Sequence, residues 1–535
     1  MSERQRASQP VPSERQRASQ PVPSERQRAS QTGSSEHRDA WEPLLAGLER
    51  RREQARRMGG PEKLDKVRRS GRLDARARIA ALLDVGSFTE LGLLAGDADT
   101  PADAFVAGSG TIDGRPVLVG SEDFTVAGGS IGVAAASKRA RLAELARREL
   151  CPLVLFLEGA GHRATNQLHP HRPAPNDLQA LVELSGLVPT VAIVTGPSAG
   201  HGALAAPLSD LTVMVRGDAS LFTAGPPLVK AALGETVTKE QLGGVDVHAG
   251  ASGLAQLVVD DQAQAVAVVR RWLGHLPSNA WQRPPVQAGA PGRRLLEGIL
   301  DVVPPNDRQP YDMRLVLADL VDADSLLELS PDYGRSLITA VGRIQGEPVA
   351  IVANQPSVLA GAIDVAAAEK GARFVEHVTA FHLPLLQLAD NPGVLAGSVS
   401  ERAGILRSAA RFFAAQHRTT VPKIHVTLRK AFGFGSSVMG QNAYGGQTVS
   451  LAFPGATLGG IPAAVGGATS GADEQTKQAL VANEAAGPWR LASSATYDDV
   501  IDPRELRNAV IDALRLARGR QAEPVAPVAH VGGLP

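Results

Sequence analysis

The chain carries one pattern twice. Gly86-Ser-Phe-Thr-Glu-Leu returns as Asp324-Ser-Leu-Leu-Glu-Leu, and Gly110-Thr-Ile-Asp-Gly-Arg-Pro-Val returns as Gly342-Arg-Ile-Gln-Gly-Glu-Pro-Val. A short strand, a Gly- or Ala-rich turn and a helix bearing Lys138 or Lys370 follow each copy. Val188-Pro-Thr and Val421-Pro-Lys then each open another strand. Matching positions lie roughly 230 residues apart, the signature of one architecture written twice. Within each copy, β-branched runs (Val117–Val119, Leu153–Leu157, Val188–Thr195) alternate with helical ones (Ser137–Leu150, Leu178–Leu184, Asp260–Leu273). That alternation predicts an α/β fold with strands covered on both faces. At 535 residues the chain is long enough for such a pair. Aromatics are only 4% of it, so Ala, Val, Leu and Ile must fill the cores.

The rest of the chain frames this duplication. SERQRASQPVP occurs at Ser2–Pro12 and Ser13–Pro23, and a shorter SERQRASQ at Ser24–Gln31. Pro-Val-Pro breaks helices and the repeat has little apolar surface, so 1–40 reads as a disordered tail. Trp41–Arg57 and Asp65–Leu83 are predicted helices, and Arg283–Gly292, rich in Pro and Gly, a linker. The expected domains are 41–289 and 290–535. Lys+Arg and Asp+Glu both count 55, which disfavours a nucleic-acid or anionic-membrane partner. Cys151 is the single cysteine, so no internal disulfide or Cys-based zinc site is possible. No apolar run approaches the ~20 residues of a bilayer span, and the polar start is unlike a secretory signal, leaving cytoplasm as the expected location.

Each half runs a strand into a Gly-rich turn: Gly196-Pro-Ser-Ala-Gly-His-Gly202 in the first, Arg429-Lys-Ala-Phe-Gly-Phe-Gly435-Ser-Ser in the second. Small residues there let backbone N–H groups reach a ligand oxygen, and two such amides can stabilise an oxyanion. A tight turn alone also explains the glycines.

Together with Gly71-Arg-Leu-Asp-Ala-Arg-Ala-Arg-Ile79, Asp123-Phe-Thr-Val-Ala-Gly-Gly-Ser130, Gly225-Pro, Leu242-Gly-Gly, Pro310-Tyr-Asp-Met-Arg, Val352-Ala-Asn-Gln-Pro356, Asp390-Asn-Pro-Gly393 and Val500-Ile-Asp-Pro-Arg, these motifs carry a family resemblance. From about Trp41 to about Arg520 the chain resembles the carboxyltransferase (beta) component of biotin-dependent acyl-CoA carboxylases of the acetyl/propionyl-CoA type. The resemblance implies two tandem crotonase-like ββα-spiral domains. The first would take the acyl-CoA thioester, and the second, from a neighbouring subunit, the carboxybiotin. Carboxybiotin would release CO2, the freed biotin nitrogen would take the α-proton, and the enolate would attack CO2. Amides of Gly200 and His201 would hold the thioester oxygen; those of Phe434 and Gly435 would hold the biotin ureido oxygen. Gly128, Gly129 and Ser437 would line the substrate. A biotin carboxylase/biotin carrier subunit is the implied partner and a homo-hexamer the implied assembly.

The chain departs from that family at both turns. It has Gly200-His201 where relatives usually have Gly-Gly, and Gly433-Phe434-Gly435 where they have Gly-Gly-Ala or Gly-Gly-Ser. Glu158-Gly-Ala-Gly-His-Arg163 replaces Asp-Ser-Gly-Gly-Ala-Arg. His or Phe at positive φ would be strained. An atypical acyl substrate or an acyl-CoA decarboxylase reaction are alternatives. Gly196-Pro-Ser198-Ala-Gly200 fits a nucleophile elbow, making a serine hydrolase with His248 or His275 the rival chemistry, although Pro197 suits so sharp a turn poorly. A non-catalytic scaffold is the rival from another class. His162, His169 and His171 cluster without carboxylates or thiols, so no metal site is expected. Lys138 and Lys370 are read as lying on solvated helix faces, and Cys151 as a small core residue.

Overall fold

The computed structural model describes residues 25–168, 176–441 and 445–520. Two compact units divide it, Met1–Gln54 and Ala55–Pro535. A helix runs Glu25–Arg56, ending two residues past the boundary between them. It starts well before Trp41, inside the third repeat copy, which lacks the Pro-Val-Pro that ends the first two. Residues 1–24 lie outside the described part.

In the second unit the helix expected over Asp65–Leu83 is two: Pro61–Arg69 and Ala75–Leu82. The break is local chemistry. Gly71 takes φ 76°, and Asp74 restarts the helix by accepting the Ala77 amide at 3.0 Å.

In chain order the strands of the first half are β1 (Thr89–Leu91), β2 (Phe105–Ile112), β3 (Arg115–Glu122), β4 (Leu153–Leu157), β5 (Thr190–Val194), β6 (Pro197–Ala199), β7 (Leu211–Val215), β8 (Ser220–Phe222) and β9 (Leu257–Val259). Those of the second are β10 (Leu327–Leu329), β11 (Leu337–Ile344), β12 (Glu347–Asn354), β13 (Leu385–Asn391), β14 (Lys423–Phe432), β15 (Val449–Ala452), β16 (Thr457–Gly459) and β17 (Asp499–Val500). The first sheet has the order β1-β2-β3-β4-β5-β7-β9 and the second β10-β11-β12-β13-β14-β15-β17, with β16 beside β14. β6 and β8 pair apart from both sheets.

The two sheets are copies down to their pairing sense. Each begins with an antiparallel meander (β1-β2-β3; β10-β11-β12) and continues in parallel. The hairpin turns coincide as well. Asp113 and Gly114 have φ 50° and 75°, and Gln345 and Gly346 have 52° and 78°. Two successive positive φ values define the turn whose twist suits a two-residue hairpin, which is why Gly recurs at its second position. Every residue of β4, β5, β7 and β11 is buried, as expected for strands covered on both faces.

The halves share their interior. One apolar cluster runs from Met58, Val119 and Phe156 of the first half to Val352, Phe381 and Phe412 of the second. Trp272, near the end of the helix Gln262–His275, stacks on His377 of the helix Val365–Ala380 with ring centroids 5.5 Å apart. The Pro/Gly-rich connection is pinned as it passes. Arg343 donates to Pro285 O at 2.7 Å, and Arg507 to Pro291 O at 2.7 Å and Gly292 O at 3.1 Å. Among the described residues no helix is long and apolar enough to cross a membrane.

Lys138 and Lys370 correct an expectation. Both are buried, not solvated. The Lys138 Nζ donates to the carbonyls of Ala102 and Phe105. The Lys370 Nζ donates to those of Ser330 and Tyr333 at 3.0 and 2.7 Å. Each ammonium closes the loop between the first two strands of its half. Burial pushes Lys370 down to about 7 and Lys138 to about 8. Side chains that long reach an interior easily, and helical spacing does not reveal it.

Candidate functional site

The first turn follows β5. Thr195 and Gly196 lead into β6, and Gly200–Ala203 then makes a single helical turn. Gly200 has φ 55°, whereas His201 is not among the residues with positive φ. The glycine thus absorbs the left-handed step, and the histidine that follows is unstrained. Amides of a first helical turn have no acceptor within their own helix, so those of Gly200 and His201 are left to a ligand or solvent. Close neighbours fix the other glycines. A Cβ on Gly196 would stand 2.6 Å from the Glu158 side chain, and one on Gly202 3.0 Å from Glu122 Oε1.

Those carboxylates belong to a buried chain of charges beneath the turn. Arg72 and Arg78 pair with Glu158, the former at 2.6 Å. Glu122 accepts the Glu158 amide at 2.6 Å and the Arg139 guanidinium at 2.9 Å. Arg139 continues to Asp177 at 2.7 Å, and Asp177 meets His201 Nε2 at 2.5 Å. Burial pushes Asp177 up, but the hydrogen bond from His201 and the Arg139 charge outweigh it and hold the carboxyl at about 2. Burial raises Glu122 against the same guanidinium. Buried charges persist only when paired and hydrogen-bonded.

The second turn follows β14 in the same manner. Gly433 has φ 55°, the value found at Gly200, and opens the helix Gly433–Val438. Phe434 likewise has no positive φ. Gly435 can be nothing larger, since a Cβ there would lie 2.1 Å from Asn391 Oδ1 and 2.7 Å from Gly393 Cα. The Phe434 ring is 44% exposed and tilts on Phe413 at 5.4 Å, which stacks on His417 at 5.9 Å. Beside the turn opens a cavity of about 880 Å³, lined among others by Gly433, Ser436, Ser437, Gln441, Asn483 and Arg490. β14 backs it with a buried polar row. His425 bonds Met439 O and Thr427 Oγ1, both at 2.8 Å, and Thr427 meets the Tyr497 hydroxyl at 2.8 Å. Burial pushes His425 down to about 4, so it serves as a neutral connector. Asp390 pairs with Arg429 at 2.7 Å.

The sequence-predicted residues therefore divide between two equivalent places. Gly200 and His201 sit after β5, and Phe434, Gly435 and Ser437 after β14. Gly128 and Gly129 form a tight turn after β3, with φ 62° and 67°. A Cβ on Gly129 would stand 2.4 Å from Glu158 O. On its copy, Gly361, a Cβ would stand 2.2 Å from Asp390 O, whereas Ala360 copies Gly128 and keeps its Cβ. Close packing on the end of β4 or β13 is thus what the second glycine answers to.

Ser198 is fully buried in β6, without positive φ or a hydrogen-bond partner for its hydroxyl. His248 bonds Ser252 and Leu221 O, and His275 bonds Arg271 O and Ser325 O. No nucleophile elbow exists at Ser198. His169 and His171 lie outside the described residues, and among the described ones no group of metal-binding side chains occurs. Asp177, Arg139, Glu122 and Asn391 were not singled out from the sequence. Asn391 stands in a motif already noted, whereas nothing in spacing ties Asp177 to His201.

Comparison with known proteins agrees with this geometry. A family model described as the carboxyl transferase domain matches residues 66–530. A biotin-dependent acetyl-/propionyl-coenzyme A carboxylase beta5 subunit of Mycobacterium tuberculosis is 36% identical over 511 residues, 90% of this chain and 93% of that protein. The alpha subunit of a methylmalonyl-CoA decarboxylase from Veillonella parvula is 34% identical over 490 residues, 89% of this chain and 96% of that protein. A solved transcarboxylase 12S hexamer with methylmalonyl-coenzyme A and methylmalonic acid bound has TM-score 0.84 and 32% identity, covering 92% of this chain and 99% of that one.

Proposed function

The chain belongs to the carboxyl transferase family and has the two-domain crotonase-like fold of biotin-dependent acyl-CoA carboxylases, and from that premise we propose that it moves a carboxyl group between carboxybiotin and the α-carbon of an acyl-CoA, using one backbone turn in each half. The observation that carries the proposal is the shared φ of 55° at Gly200 and Gly433. Each glycine takes the left-handed step, so the amide after it stays available whatever its side chain. The departures His201 and Phe434 therefore leave the family's main-chain machinery standing.

Residues 41–289 form the acyl-CoA side. As negative charge builds on the thioester oxygen, the amides of Gly200 and His201 hold it. Each such donor is worth about 10²–10³ in rate. Gly128 and Gly129 border the acyl-CoA path on the same side. Residues 290–535 form the carboxybiotin side, where the amides of Phe434 and Gly435 receive the ureido oxygen, and Ser437 lines the acyl pocket. These residues fit a small planar ring: Gly435 presents bare backbone, and the adjoining cavity measures about 880 Å³. Carboxybiotin brings the carboxyl group and, once emptied, a nitrogen base. A partner carrying biotin delivers it, with a biotin carboxylase subunit as the source of its charge. The chain works as a hexamer in the cytoplasm, with each centre completed by a neighbouring copy.

Calorimetry with acetyl-, propionyl-, butyryl- and longer acyl-CoA, with His201→Gly alongside, tests the reading. Binding that depends on acyl length is expected, with the variant altering selectivity. No binding to any thioester overturns the proposal.

A further inference from the structure

The copies diverge where the two turns end. In the second, Phe434 rests on the apolar ring of Phe413. In the first, the equivalent side chain is an imidazole seated on a carboxylate: His201 Nε2 lies 2.5 Å from Asp177 Oδ1, with the histidine side chain 34% exposed and the aspartate 6%. Asp177 is held in turn by Arg139 Nε at 2.7 Å, and Arg139 by Glu122 at 2.9 Å. Three buried charged groups thus orient one half-exposed ring. Gly371, which follows Lys370 as Arg139 follows Lys138, carries no charge in the second copy. The second turn has its own buried pair, Asp390 with Arg429, but the side chain after its glycine is Phe434. A buried ion-pair chain adds little stability, so one that ends on a half-exposed histidine calls for a use there. A carboxylate at Nε2 fixes the tautomer and orients the ring, which leaves Nδ1 as the nitrogen able to take a proton.

Resting on the acyl-CoA reading of this turn, we propose that His201 is a side-chain base and acid for the α-carbon of the bound thioester, giving the chain an α-proton exchange activity that requires no biotin carrier. Asp177 is its positioning residue. The imidazole takes the α-proton of the thioester. The C–H electron pair moves into the enolate, whose oxygen the Gly200 and His201 amides hold. Asp177 balances the imidazolium so formed. Return of a solvent-derived proton from that imidazolium to the α-carbon regenerates thioester and neutral ring, so no oxidant or co-reactant is consumed. The family's own route leaves α-proton removal to biotin, and this ring duplicates that function within the chain.

The test uses the full chain without any biotin-bearing partner. Propionyl-CoA is incubated in D2O and its α-deuterium content followed by mass spectrometry, while its Kd is measured on the same preparations. Exchange well above the protein-free rate is expected. His201→Gln, which keeps a hydrogen-bonding group for Asp177, and His201→Gly should each lose exchange at least tenfold, by far more than either weakens binding. Free imidazole should restore part of it to His201→Gly, a rescue that a packing role would not give. Asp177→Asn should slow exchange to a smaller degree. Propionyl-CoA that binds without exchanging, or exchange undiminished in both His201 variants, overturns this proposal and leaves the carboxyltransferase reading intact. Failure of propionyl-CoA and the longer thioesters to bind at all overturns both.

Discussion

Gly200 and Gly433 share a conformation but not a neighbourhood, and that separates two kinds of constraint. A Cβ on Gly200 would meet nothing closer than Thr223 O at 3.5 Å. Only the left-handed backbone resists alanine there, at about 1–2 kcal/mol. Gly435 is the reverse case. Its backbone is ordinary, but a Cβ would collide with Asn391 Oδ1 at 2.1 Å, and overpacking of that kind costs about 1–3 kcal/mol or more. Gly200→Ala should fold with a slightly lower melting temperature yet lose tenfold or more in carboxyl transfer, because the turn must shift to relax. Gly435→Ala should lose more stability than Gly200→Ala. Thermal melts beside a transfer assay separate the two. Full transfer activity in Gly200→Ala would detach the turn from the reaction. At this scale the glycines were legible in the sequence because turns need them, and their recurrence drew attention to both sites. The Asp177 partner of His201 was not, since a contact across 24 residues leaves no spacing pattern. Lys138 and Lys370 misled for a related reason. A lysine on a helix reads as solvated until the carbonyls that receive its ammonium are seen.

The paired hairpins show how an element can be read from sequence and still hide its energetics. Asp113-Gly114 and Gln345-Gly346 adopt the same turn, and repetition of the Gly within matching sequence was enough to align the two meanders. Their surroundings were not visible. Nothing lies within 4 Å of a Cβ on Gly114, whereas one on Gly346 would sit 2.1 Å from Gln287 O, in the connection between the halves. Gln287 also donates its amide to Gly346 O at 3.0 Å. Gly346→Ala should therefore destabilise the protein by clearly more than Gly114→Ala, which carries only the left-handed term of about 1 kcal/mol. Chemical denaturation of the two variants decides it, and equal losses would mean that the connection yields freely. Strand positions such as Leu153–Leu157 were legible because a short apolar run between turn signals has few alternatives. The break of the early helix at Gly71 was missed. One glycine in an otherwise helical stretch is tolerated as often as it terminates, and here the Asp74 cap decides the outcome.

Across the whole molecule, duplication was the most legible property and the union of the copies the least. Sequence alignment of the halves suggests two bodies joined by a linker at 283–292. The structure gives one compact unit from Ala55 onward, with a core to which both halves contribute. Apolar positions that face a partner half look no different in sequence from those facing their own sheet. Trp272 tests the union. It is fully buried and stacks on His377 across the halves. Trp272→Ala should cost about 3–5 kcal/mol and lower the melting of both halves together, as followed by hydrogen exchange on β4 and β13. Protection lost in β4 alone would show that the halves unfold separately.

The left-handed glycine ahead of each reactive amide also shapes what this protein can become. Because main chain does the holding, position 434 is released from the demand that usually freezes an active-site residue. Neutral drift can sample it while the other copy and the common core keep the scaffold intact. A saturation library at position 434 is accordingly a more promising route to altered carboxybiotin handling than one aimed at the glycines beside it.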